Sequence, residues 1–158
     1  NGYAVNVSQF SHLMSSDEYD DPELEAEWLT EQRATVERYL QGEGVQHRGV
    51  AHESDWFIAP YVSVWRVESM NTPGAIGWWA ISGDVPTDYL SGHEATSART
   101  ALAAFAERWS EVSAYLLRGE DHPTVRIGRP TDRRELGDLL SRRARVIGDW
   151  SLDDEMWQ

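Results

Sequence analysis

The sequence predicts an α+β fold, a small antiparallel β-sheet packed with three main α-helices. Three observations predict it. Apolar residues recur at helical spacing in three separate stretches, near 22–42, 94–118 and 131–147. Two runs rich in β-branched and aromatic residues, 61–69 and 75–82, sit between the first and second of these. The segment MNTPG joins the two runs with the residues of a tight connection.

Residues 1 to 20 read as a polar lead, ordered only in part. The first helix then starts at Asp21, a good N-cap, followed by Pro22, which suits the first helical position. Glu23 and Glu25 favour the positive end of its dipole. Leu24, Trp28, Leu29, Val36, Tyr39 and Leu40 define one buried stripe, and Gly42 and Gly44 stop the helix. Val45 to Ala51 suggests a short strand, and Pro60 separates Trp56-Phe57-Ile58 from the run that begins at Tyr61. YVSVWRVES and AIGWWAIS then form a hairpin whose strands carry bulky apolar groups on both faces.

The segment GDVPTDYLSG reads as a loop, and a long helix runs after it from about Glu94 to Arg118, ended by Gly119. Ala98, Ala101, Leu102, Phe105, Trp109, Val112 and Leu116 form its apolar face. TVRIGRP suggests a short edge strand. The last helix begins near Thr131 or Asp132, where Asp132 and Glu135 have capping-box spacing, with Leu136, Leu139, Leu140, Val146 and Ile147 as its stripe. The expected organisation is therefore a lead (1–20), a single α+β domain (21–148) and an acidic tail (149–158).

Composition excludes much chemistry. The 158 residues contain no cysteine, and all 14 basic residues are arginine. Disulfides, thiolate metal sites, cysteine nucleophiles, Schiff-base lysines and the lysine of a phosphate loop are all removed. No apolar run approaches the roughly 18 residues of a membrane-spanning helix. The first residues lack the basic start and apolar block of a secretory signal, so a cytoplasmic protein is expected. Net charge is −13, and it is polarised: 17–31 holds eight acids and no base, whereas 126–145 holds seven arginines against Asp132, Glu135 and Asp138.

The runs APYVSVWRVES, GWW and SGDVPTDYLSG, with EWLTEQRATVERYLQGEGV and FAERW, together resemble an uncharacterised family of small bacterial proteins, a domain of unknown function. The resemblance covers roughly residues 24 to 110. It implies kinship of fold and brings no established activity, so no catalytic residue carries over.

Two constellations are candidates for function. In the loop Gly83 to Tyr89, Asp84 and Asp88 have the makings of an acid–base pair beside Thr87 and Tyr89. The competing structural role is turn formation, since Asp, Thr, Pro and Gly are the usual turn residues. Trp65, Trp78 and Trp79 offer flat aromatic faces for a ligand or a partner, or else a core between sheet and helices. Trp78 and Trp79 are adjacent in a strand and so point to opposite faces. The five histidines lack ligand spacing, which argues for no metal, and nothing calls for a cofactor. Arg134, Arg142 and Arg145 of the last helix lie opposite its leucine stripe within a strongly acidic chain, which argues against nucleic acid. The sequence reading is a small acidic module binding a protein with a basic surface, in the manner of an immunity or inhibitor protein. The other reading is a small-ligand domain or hydrolase-like enzyme using Asp84 and Asp88. Self-association as a homodimer is a further expectation of the polarised charge.

Overall fold

A computed structural model describes residues 16–127 and 132–158. The architecture is α+β, with three helices and a five-stranded antiparallel sheet among the described residues. The chain divides into two compact units, one reaching to Ala101 and one from Leu102 to Gln158.

The first unit opens with a 3-10 helix, Ser16–Asp20, and helix α1, Pro22–Gly42. Asp21 caps α1 as its composition predicts: the side chain accepts the Glu23 N–H at 2.9 Å. Five strands come next: β1 (His47–Val50), β2 (Trp56–Ile58), β3 (Val62–Ser69), β4 (Ile76–Gly83) and β5 (Asp88–Ser91). The predicted hairpin is β3–β4, with Trp65 opposite Ala80 and Val67 opposite Trp78. Both β1 and β2 pair with β3, β1 along its second half and β2 along its first. Residues 51–55 thus interrupt what is otherwise one edge strand. β5 pairs with β4 and forms the opposite edge.

The pleat sorts the side chains. Ser63, Trp65 and Val67 share one face with Trp78, Ala80 and Tyr89, while Val62 and Val64 share the other with Trp79, Ile81, Asp88 and Leu90. Val36 and Leu40 of α1 pack on the first face against Val50, Trp65, Val67 and Ala80. Leu24, at the start of the predicted stripe, lies instead on the exposed side at 40%. It lies in the first turn of α1, one turn before Trp28, the first buried residue of the helix.

Two strands depart from the sequence-based expectation. β2 is only three residues long, and β5 lies within a stretch made of turn-forming residues. Pairing with a long neighbour supplies what local propensity does not.

Helix α2, Ala98–Leu117, starts in the first unit, continues into the second and begins four residues later than the periodicity suggests. Ser97 sets the start: its hydroxyl accepts the Thr100 N–H, and the Thr100 hydroxyl accepts the Ser97 N–H. Gly119, at φ 79°, ends it, with the Glu120 N–H returning to the Tyr115 carbonyl. Helix α3, Arg133–Leu152, is capped by Asp132, which accepts the N–H groups of Arg134 and Glu135. Gly137 approaches Leu116 and Gly148 approaches Ala106, so α2 and α3 run antiparallel. Arg134, Arg142 and Arg145 are not buried, in keeping with their place opposite the leucine stripe, whereas Arg143 is buried with Leu140, Ala144 and Ile147. α3 includes 149–152, the first part of the expected tail, and a short 3-10 helix, Asp154–Trp157, completes the chain. There the Trp157 indole N–H donates to the Trp150 carbonyl at 2.9 Å. Residues 124–127 form no strand, and the rest of TVRIGRP, 128–130, lies outside the described residues, as does most of the polar lead, 1–15.

Candidate functional site

Gly83 ends β4 at φ 136°, and a Cβ there would land on the Tyr61 carbonyl oxygen, so only glycine fits. The next residue continues the same contact: the Asp84 N–H donates to that carbonyl at 2.8 Å. Residues 84–87 are all half-buried, and the chain re-enters the sheet at Asp88. Asp88 is 4% exposed, and its Oδ1 accepts the Tyr89 N–H at 2.8 Å. Two residues on, the Ser91 N–H donates to a Glu94 carboxylate oxygen at 2.9 Å. Since 89 and 91 alternate with the residues bonded to β4, these are the outward donors of the edge strand. Each is received by a carboxylate, which leaves this edge few free groups for another strand.

Two of the most deeply buried tryptophans have their indole N–H groups satisfied inside the fold. Trp65, 1% exposed, donates to the Ser63 hydroxyl at 2.8 Å, which meets the Ser82 hydroxyl at 2.9 Å. Trp79, also 1% exposed, donates to the Ala95 carbonyl at 3.0 Å. Trp78 and Tyr89 are half-buried against the α1 side, where Tyr89 meets Tyr39 edge-on at 6.0 Å. The predicted site residues therefore divide between two faces: Trp65, Trp78 and Tyr89 on one, Trp79 and Asp88 on the other. Asp84 and Thr87 lie in the connection between β4 and β5.

A second arrangement has no signal in the sequence beyond the polar run AHESD between two short β-like runs. Ala51 and Asp55 still donate to the carbonyls of Arg66 and Val64, so the interruption at 51–55 is anchored at both ends. Arg33 of α1 ties it down, donating to the carbonyls of Val50 at 2.8 Å and Ala51 at 3.0 Å and pairing with Glu37 at 2.6 Å. Arg66 grips Asp55 with two nitrogens, the closer at 2.6 Å. Those hydrogen bonds, and then the carboxylate charge, hold the Arg66 guanidinium more firmly protonated than usual. Two clefts flank the interruption. One, of about 530 Å³, runs along α1 and is lined by Glu25, Leu29, Glu53, Phe57 and the edge of Trp65. The other, of about 410 Å³, is lined by Arg48, Arg66 and Glu68. Neither is lined by Asp84 or Asp88.

The acidic stretch occupies the 3-10 helix and the first half of α1. Glu18, Asp20, Asp21, Glu23, Glu27 and Glu31 are exposed or nearly so there, and Glu25 is half-buried. None of these seven forms an ion pair among the described residues, whereas in the last helix Arg133 pairs with Asp121 and Arg142 with Asp138. Among the described residues no three His, Asp or Glu side chains gather as metal ligands. No helix among them is long and apolar enough to cross a membrane.

The family described as a domain of unknown function (DUF4826) matches residues 22–157. The chain belongs to this family. The match runs well past the resemblance read at 24 to 110 and takes in α3, so the arginine-rich helix lies within the family's domain. It begins at the first residue of α1 and ends at the last 3-10 helix. No curated protein and no solved structure was found to match the chain.

Proposed function

We propose that this member of the family is a small acidic protein-binding module of the bacterial cytoplasm, which engages a basic protein much as an immunity or inhibitor protein does. The observation that carries this reading is the set of seven carboxylates on the 3-10 helix and α1 that form no ion pair among the described residues. The chain has 14 basic residues, and among the described residues none pairs with these seven carboxylates. Such a field steers a cationic partner, raising its association rate, while buried contacts set how long it stays. Nucleic acid is not a suitable partner for it, and a second copy of the chain is a weaker fit because it presents the same acidic surface.

The other reading, a ligand site or hydrolase-like centre at Asp84 and Asp88, has less support. The Asp88 carboxylate accepts a backbone N–H at the sheet edge, and the aromatic residues that would accompany it divide between opposite faces.

Capture of the tagged chain's partner from native lysate at low and at high salt tests the proposal. One stoichiometric basic partner, recovered at low salt and weakened at high salt, is the expected result. Recovery of no basic protein at either salt concentration would count against it.

A further inference from the structure

We infer that the 530 Å³ cleft beside α1 is the anchor pocket of that interface and receives an arginine side chain of the partner, an inference that rests on the binding reading above. The cleft lies within the range of volumes that bind a defined group. Its floor is apolar, formed by Leu29 of α1, Phe57 of β2 and the edge of Trp65. Its rim carries Glu25 and Glu53, whose carboxylates have no hydrogen bond or ion pair among the described residues.

The rest of the wall, which includes Thr30, Ser54 and a neutral His52, carries no unmatched formal charge. Arg33 and Glu37 also line the cleft, but they neutralise each other at 2.6 Å, and Arg33 gives its other described bonds to the carbonyls of Val50 and Ala51. Two acceptors thus remain unmatched over an apolar floor. An anionic ligand would be repelled by them. A wholly apolar group would strip water from two carboxylates without replacing its hydrogen bonds, which is unfavourable. A long cationic side chain meets both needs, laying its carbon stem on Leu29 and Phe57 and its charged head between the glutamates. Arginine suits this better than lysine, because its planar fork binds carboxylates with paired donors and stacks on aromatic rings. Glu25 belongs also to the acidic stretch, so the field that attracts a basic partner continues into the cleft.

The test uses the 15N-labelled full chain and an acetylated, amidated peptide, Gly-Leu-Arg-Leu-Gly, with a second peptide carrying citrulline, the uncharged isostere, in place of arginine. The arginine peptide is expected to give saturable amide shifts at Leu29, Ser54 and Phe57, and the citrulline peptide to bind several-fold more weakly. Glu25→Gln with Glu53→Gln should weaken the arginine peptide several-fold, up to about tenfold, and leave the citrulline peptide unchanged. Equal binding of the two peptides, or no shift at the three cleft residues, overturns the inference. Shifts confined to 17–27, with none at Leu29, Ser54 or Phe57, overturn the cleft alone and leave the acidic interface standing. The lysate capture at two salt concentrations judges that interface separately.

Discussion

At Tyr89 the outer edge of the sheet presents an N–H that no further strand receives, and the Asp88 carboxylate accepts it. That bond gives Asp88 a structural role in the segment whose sequence suggests chemistry. Removing the acceptor leaves a half-buried donor unsatisfied, at a cost of about 1–3 kcal/mol. Asp88→Ala should therefore lower unfolding free energy by at least that amount in denaturant titration. Asp88→Asn, which keeps an oxygen in place, should lose less. An Asp88→Ala protein as stable as the parent would return Asp88 to the functional candidates. The tryptophans make a similar point. Their composition signals both burial and a need for hydrogen-bond partners, and the structure meets both through Ser63 and Ala95. The sequence contains the serine next but one to Trp65, but only the register with Ser82 shows why it is there.

Among the elements, those with strong local signals are legible from the sequence. Asp21 with Pro22 starts α1, MNTPG turns β3 into β4, Gly119 ends α2 and Asp132 caps α3. β2 and β5 are not legible, because three- and four-residue strands owe their existence to β3 and β4 rather than to their own residues. The interruption at 51–55 is hidden for the same reason: Arg33, which anchors it, lies 18 residues earlier than Ala51 in the chain. The join between α2 and α3 offers an electrostatic test. Arg133 donates to Asp121, and this hydrogen bond holds the Asp121 carboxyl below its ordinary range. A carboxyl lowered by folding contributes stability in full above its unfolded value, about 3.9, and loses it as pH falls through the folded value. The stability difference between the parent and Asp121→Asn should thus hold steady from neutral pH to about pH 5 and shrink below about pH 4. A difference that grows on acidification would contradict the pair.

For the whole molecule, net charge and its polarity along the chain are plain in the sequence, and the structure adds where the charge is unmatched. Charge that folding leaves unpaired on one surface opposes compaction slightly and serves association instead. The cleft beside α1 could not be read from the sequence, since Glu25, Glu53 and Phe57 come together only through the pairing of β2 with β3. The central claim is that the carboxylates of the 3-10 helix and α1 draw in a basic partner. Its most direct test is the association rate of the captured partner with the parent and with a Glu23→Gln, Glu27→Gln, Glu31→Gln variant, measured across a range of salt. These three side chains form no ion pair or hydrogen bond among the described residues, so the variant should fold normally. The account predicts a parent rate that falls as salt rises, and a variant that is slower at low salt with a flatter dependence. Equal rates for the two proteins, or a parent rate indifferent to salt, would contradict it.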